Sequence, residues 1–159
     1  MAALIAGIHR DLKMDDENAA RIPKWFRLVA GSALIWNVMG FVIFFGETFQ
    51  QEAVIAGFEP EQQEWMRSTP RWIYVIFGLS VCTGILGSLR LLAKKKSCIP
   101  LFLTSLIAVL IQMAYTMLIA GGLRVMGPSG AIMPGVVIFL AGVWLGFAHV
   151  SSRQGWLGA

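Results

Sequence analysis

The sequence predicts an all-α integral membrane protein, a bundle of four transmembrane helices. Pro23, Pro70, Pro100 and Pro134 each precede an apolar run of about 17 to 23 residues, the length that crosses a hydrocarbon core of roughly 30 Å. Hydrophobic residues make up 57% of the chain and charged residues only 14%. The mean hydropathy is +0.68, so the chain holds more apolar surface than a globule of 17.4 kDa could bury.

The predicted spans are residues 25–46, 71–93, 99–121 and 134–150. A proline in the first helical position gives up only a backbone donor without a helical partner, so each proline is predicted to start a helix. The first and third spans share an order of proline, apolar run and central amide. This order suggests a 2+2 parallel repeat, in which the second pair of helices repeats the first.

Two segments outside the spans also show helical patterns. Residues 1–22 form an N-terminal arm before the transmembrane domain of residues 23–159, and its apolar residues recur at the spacing of a helix lying on the membrane surface. Residues 60–67, Pro-Glu-Gln-Gln-Glu-Trp-Met-Arg, predict a second surface helix. A plain polar loop is the alternative for this second segment.

The distribution of charge predicts the orientation. Ten of the thirteen basic residues lie on one side of the predicted spans, and the other three lie on the opposite side with five glutamates. The positive-inside rule therefore places both termini in the cytoplasm. The ten are Arg10, Lys13, Arg21, Lys24, Arg27, Arg90, Lys94, Lys95, Lys96 and Arg153.

The net charge of +4 does not indicate a nucleic-acid partner. The basic residues of the chain cluster beside helix ends, where anionic lipid head groups lie. Membrane lipids are therefore the expected partners. Trp25 and Trp156 are predicted at the inner interface and Trp65 and Trp72 near the outer one, as in an aromatic belt. Trp144 lies deep in its span and is predicted to pack between helices.

Two amides lie deep inside predicted spans, where polar groups are costly unless paired. Asn37 is in the first span and Gln112 in the third, and both fall at about the same depth. The two side chains could form an interhelical hydrogen bond that fixes packing. Alternatively, they could line a midplane site for a neutral solute together with Tyr115 and Trp36.

Small residues recur at four-residue spacing in the second and fourth spans. Such stripes let helix backbones approach closely, within the bundle or at a docking surface for another membrane protein. The stripe of the second span is Ser80, Gly84 and Ser88, and that of the fourth is Gly142 and Gly146.

The sequence predicts neither a catalytic site nor a cofactor. No nucleophile, base and acid set and no metal-ligand cluster can be composed at plausible spacing, so the chain is expected not to be an enzyme. His149, one turn after Gly146, could ligate haem iron or chlorophyll magnesium. The only other histidine is His9 in the arm, so His149 is interpreted as an interface residue.

Several short segments carry a resemblance to a known family. They are Pro23-Lys24-Trp25-Phe26, Leu34-Ile35-Trp36-Asn37-Val38-Met39-Gly40, Thr69-Pro70-Arg71-Trp72, Thr83-Gly84-Ile85-Leu86-Gly87, Gln112-Met113-Ala114-Tyr115, Met133-Pro134 and Gly155-Trp156-Leu157. Over roughly residues 23–157 the chain resembles a family of small four-helix bacterial inner-membrane proteins that are often labelled sugar transporters. The resemblance implies this topology and a bacterial inner-membrane location.

Two functions are expected from these observations. The first is an accessory or scaffold subunit that packs against other subunits of a larger inner-membrane complex, respiratory or photosynthetic. The alternative is a small solute transporter for a sugar-like molecule. An outward-facing strip of small residues would favour the subunit, and a polar cavity at the level of the two amides would favour the transporter.

Overall fold

The computed structural model describes residues 22–158, and the predicted surface helix of the arm lies outside this range. The described elements are helical. They are α1 Lys24–Phe49, α2 Gln51–Ile55, α3 Pro60–Arg67, α4 Arg71–Leu92, α5 Cys98–Ala114, α6 Gly122–Met126 and α7 Ile132–Arg153. A π-helical segment, Tyr115–Ile119, continues α5, and a 3-10 turn, Pro128–Ala131, leads into α7.

The four predicted spans are confirmed, because four described helical segments are long and apolar enough to cross a membrane. They are Lys24–Phe49, Arg71–Leu92, Cys98–Ile119 and Pro128–Arg153. The prolines start helices less uniformly than predicted. Pro23 and Pro70 are N-cap residues, whereas α5 and α7 begin two residues before Pro100 and Pro134. All four positions are compatible with a helix, since backbone donors of the first turn lack helical partners.

The bundle is antiparallel, with α1 packed on α4, α4 on α5, and α5 on α7. Its two ends differ in composition. The end that carries Lys24, Arg90, Lys94 and Arg153 is named the basic end here, and the end formed by α2, α3, α6 and the 3-10 turn is named the loop end.

The C-terminal segment closes the basic end. Trp156 packs edge-on against Trp25 and Phe26, with ring centroids 5.6 and 6.0 Å apart. The Gly158 N–H donates to Lys94 O at 2.7 Å, which ties the segment to the turn between α4 and α5. A buried cluster extends from there between the helices and contains Phe26, Leu91, Cys98, Phe102, Ala148 and Leu157. The basic end is thus the tightly packed end of the bundle.

The loop end is held by polar contacts. The predicted helix at residues 60–67 is confirmed as α3, where the Glu59 N–H donates to Gln62 Oε1 at 3.3 Å across the first turn. The indole N–H of Trp65 donates to Ala120 O at 2.8 Å and so connects α3 to the end of the π-helical segment. Gly121 follows with φ of +77°, a conformation that suits glycine in the turn into α6.

Candidate functional site

A cavity of about 220 Å³ lies among the four spanning helices. Its lining comes from α1, α4, α5 and α7, and it includes the level of the two predicted amides. The cavity exists because α1 and α7 meet at the basic end, where Phe147 packs on Trp25 and Phe26, but do not pack along their lengths. Its lining residues are Trp36, Asn37, Met39, Gly40, Ile43, Glu47, Phe77, Ser80, Val81, Phe102, Ser105, Val109, Gln112, Met113, Met133, Val137, Ala141 and Trp144.

Gln112 carries an unsatisfied polar atom in the wall of this cavity. The side chain is 7% exposed, and its Oε1 is buried without a hydrogen-bond partner among the described residues. A buried polar atom without a partner carries a desolvation cost of about 1–3 kcal/mol. A ligand with a hydrogen-bond donor would remove this cost.

Trp144 supplies the complementary group on α7. Its indole Nε1 is also buried without an acceptor among the described residues. An indole N–H only donates, whereas an amide oxygen only accepts. These two residues therefore offer one unpartnered acceptor and one unpartnered donor to a neutral ligand.

Asn37 contributes to the packing of α1 on α4. Its Nδ2 donates to Ala33 O at 2.8 Å within α1 and to Ser88 Oγ at 3.4 Å on α4. Its amide group lies directly over Gly84, where a Cβ would overlap Oδ1 and lie 2.7 Å from Cγ. Asn37 and Gln112 thus line one cavity but differ in role, because Asn37 has partners in the bundle.

The stripe of α4 lies inside the bundle, since Ser80, Gly84 and Ser88 are all buried. Ser105 of α5 donates to Ser80 O at 2.9 Å, and Ser88 donates to Gly84 O at 2.8 Å. These bonds satisfy the hydroxyl donors of Ser105 and Ser88 within the protein. The small residues of α4 therefore allow α1 and α5 to approach it closely.

The remaining predicted site residues are dispersed. Trp36 lines the cavity, but Tyr115 lies outside its lining and packs edge-on against Trp72 with ring centroids 4.8 Å apart. His149 is exposed near the end of α7, with Nδ1 3.3 Å from Leu145 O. Among residues 22–158, no three His, Cys, Asp or Glu side chains form a metal-ligating group.

Gly142 and Gly146 face away from the bundle. Both are exposed, and a Cβ added at either would meet no atom within 4 Å. Gly135, two turns before Gly142, has the same open surroundings. The three glycines are named the glycine face here, and α7, which carries them, belongs to the least buried of the four spans.

A second cavity, also of about 220 Å³, adjoins the first toward the loop end. The two share Glu47, Phe77, Gln112, Met113 and Met133. Trp65 of α3 and Met126 of α6 belong to the far wall of the second cavity. Gln112, whose amide oxygen is unpartnered, thus lies where the two cavities meet.

Sequence reasoning missed two residues of this site. Trp144 was expected only to pack between helices, although an indole N–H deep in an apolar span is itself a buried donor that needs an acceptor. Glu47 follows the predicted span 25–46 directly and was not considered as a site residue, but it lines both cavities. Its signal was an acidic residue on an otherwise apolar helix.

Comparison with protein-family models, with curated proteins and with solved structures finds no match to this chain.

Proposed function

We propose that this protein is an integral membrane protein that binds a small neutral molecule in the cavity of the spanning helices and carries it across the membrane. The observation that supports this proposal is the cavity of about 220 Å³ with the unpartnered Gln112 Oε1 in its wall. Ligand sites in proteins are typically concave and mostly apolar, with a few polar groups that fix orientation. No catalytic step is assigned to the cavity.

The proposal includes an orientation and a location. The positive-inside rule places the basic end in the cytoplasm, and the resemblance to small bacterial proteins labelled sugar transporters supports an inner-membrane location. The cavities would then connect the midplane with the outer face. The aromatic contacts of Trp25, Phe26 and Trp156 would close the cytoplasmic side.

The proposal is tested by a substitution that places a larger side chain in the cavity, compared with the same enlargement outside the cavity. Val109 lines the cavity and is 6% exposed, so Val109→Phe should occupy the space in which a ligand would bind. Val143→Phe adds the same atoms to α7 at a position that is 39% exposed and outside the lining, and it is the matched control.

Binding of glucose, glycerol and 2-phenylethanol to the protein in nanodiscs is measured by calorimetry, and uptake of the first two is measured in proteoliposomes. We expect wild type and Val143→Phe to bind at least one of these probes and Val109→Phe to lose that binding. Equal binding by both variants, or no binding by wild type, would contradict the proposal. Retained helicity in circular dichroism establishes that Val109→Phe is folded.

The glycine face supports a second candidate function, an accessory or scaffold subunit of a larger membrane complex. A transmembrane helix of another subunit could approach α7 closely at Gly142 and Gly146, because nothing lies within 4 Å of either position. Leucine at both positions should prevent that approach. Gly31→Leu on α1, which also has no atom within 4 Å of its Cβ position, is the matched control.

Purification of tagged protein from native membranes in mild detergent tests this second function. We expect companion subunits to co-purify with wild type and Gly31→Leu but to be reduced with Gly142→Leu/Gly146→Leu. Purification of wild type without stoichiometric companions would exclude the subunit role.

A further inference from the structure

We propose that the cavity binds a mostly apolar molecule bearing one hydroxyl group, which enters from the lipid through the gap between α1 and α7. The inference rests on the proposed function and names the chemical class of its ligand. It distinguishes this ligand from a sugar or another polyol.

The volume sets the size of the ligand. An apolar protein cavity of about 150 Å³ is large enough for one benzene molecule. The cavity of this protein has a volume of about 220 Å³. It therefore has room for a single ring with a short substituent.

The wall sets the polarity of the ligand. Most lining side chains are apolar, among them Phe77, Phe102 and Val109. Among the polar lining groups, Asn37 and Ser105 already donate to partners within the bundle, and Glu47 lies in the wall where the two cavities meet. A polyol would bury most of its hydroxyl groups against apolar side chains, and each unpaired group opposes binding.

A hydroxyl group is chemically complementary to each of the two unpartnered atoms, because it both donates and accepts. Its O–H can donate to Gln112 Oε1, or its oxygen can accept from the Nε1–H of Trp144, the two lining atoms that are buried without partners. The rest of the ligand then contacts apolar side chains, including Met113 and Val137.

The exposed fractions of three lining residues indicate the route by which the ligand enters. Met39 and Ile43 of α1 and Met133 of α7 line the cavity, yet they are 43%, 42% and 53% exposed. The cavity therefore reaches the outer surface of the bundle between α1 and α7, the pair of helices that does not pack along its length. In a membrane this opening faces lipid, so it admits molecules that dissolve in lipid.

Calorimetry on the wild-type protein in nanodiscs tests the ligand class with three probes of similar size. They are 2-phenylethanol, propylbenzene, which replaces the hydroxyl by a methyl group, and the cyclic polyol myo-inositol. Partition into protein-free nanodiscs is subtracted. We expect 2-phenylethanol to bind about tenfold more tightly than propylbenzene, the effect of one to two net hydrogen bonds, and myo-inositol to show no binding.

Substitutions assign this preference to the two side chains. Gln112→Leu and Trp144→Phe should each reduce the preference for alcohol over hydrocarbon by about threefold or more, while leaving the affinity for propylbenzene within about twofold. Gln154→Leu, at an exposed position that follows α7, is the matched control and should keep the full preference. A merely structural role of Gln112 would change the affinities of both probes together.

The possible results separate the two proposals. Preferred binding of myo-inositol, or equal binding of alcohol and hydrocarbon by wild type, would overturn the ligand class and leave a ligand-binding cavity in place. Absence of binding by all three probes would overturn both the ligand class and the proposed function. An unchanged preference in both Gln112→Leu and Trp144→Phe would overturn the assignment of the hydroxyl to these residues.

Discussion

Gly84→Ala should destabilise the bundle, although alanine is the better helix former. A Cβ at Gly84 would overlap Asn37 Oδ1, lie 2.7 Å from Asn37 Cγ and lie 3.3 Å from Ser105 Oγ. The Asn37 amide cannot turn away without loss of its bonds to Ala33 O and Ser88 Oγ. The substitution therefore affects the packing of both α1 and α5 against α4.

The expected change in the free energy of unfolding combines two costs with one gain. Overpacking in a well-packed interior costs about 1–3 kcal/mol, and loss of an interhelical hydrogen bond in a membrane costs about 0.6 kcal/mol. Replacement of glycine by alanine within a helix returns about 1 kcal/mol. The net loss in free energy of unfolding should be about 0.6–2.6 kcal/mol.

Reversible unfolding of the purified protein in mixed micelles measures this loss. Gly142→Ala is the matched control, because the same methyl group on α7 meets no atom within 4 Å, and it should be neutral or slightly stabilising. Asn37→Ala should reduce the cost of Gly84→Ala, since it removes the group that the Cβ would meet. Equal stability of Gly84→Ala and Gly142→Ala would refute the packing argument.

Three further predictions concern the ends of the bundle. Leu157→Ala should lower the free energy of unfolding by about 2–5 kcal/mol in the same assay, because Leu157 is 3% exposed within the basic-end cluster. Trp65→Phe removes the donor to Ala120 O and should increase proteolytic cleavage around α3 without unfolding the spans. Arg67, which donates to Glu52, holds the pKa of this carboxyl below its usual value, so Arg67→Gln should raise that pKa in an NMR titration. Since folding lowers the pKa of Glu52, the contribution of the pair to stability is present above the ordinary glutamate value and is lost as pH falls through the lowered value.

The spans were predictable because their signal is local. A membrane helix must satisfy its own backbone groups and present apolar side chains to lipid, so length and hydropathy suffice to locate it. The ends were less predictable. The third span finishes in the π-helical segment Tyr115–Ile119, and the fourth begins at Pro128 through a 3-10 turn, two forms that hydropathy does not distinguish from an α-helix.

The roles of the two amides were beyond sequence reasoning. Their positions along the first and third spans predicted that Asn37 and Gln112 lie at about the same depth. Their hydrogen-bond partners, however, depend on which faces of the helices meet. Asn37 has a partner because Gly84 and Ser88 of α4 lie opposite to it. The amide oxygen of Gln112 has none because it faces the space that remains where α1 and α7 diverge, and no local pattern encodes that divergence.

Both candidate functions meet on α7. One side of this helix lines the cavity with Val137, Ala141 and Trp144, and another side carries the glycine face. Among the spanning helices α7 packs along its length only on α5, so its position sets the width of the gap toward α1. A partner helix on the glycine face would restrain this position and with it the access of a ligand to Gln112. If the protein is purified with such a partner, the affinity for 2-phenylethanol should therefore differ between the complex and the isolated chain, whereas identical affinities would show that the two sides of α7 act independently.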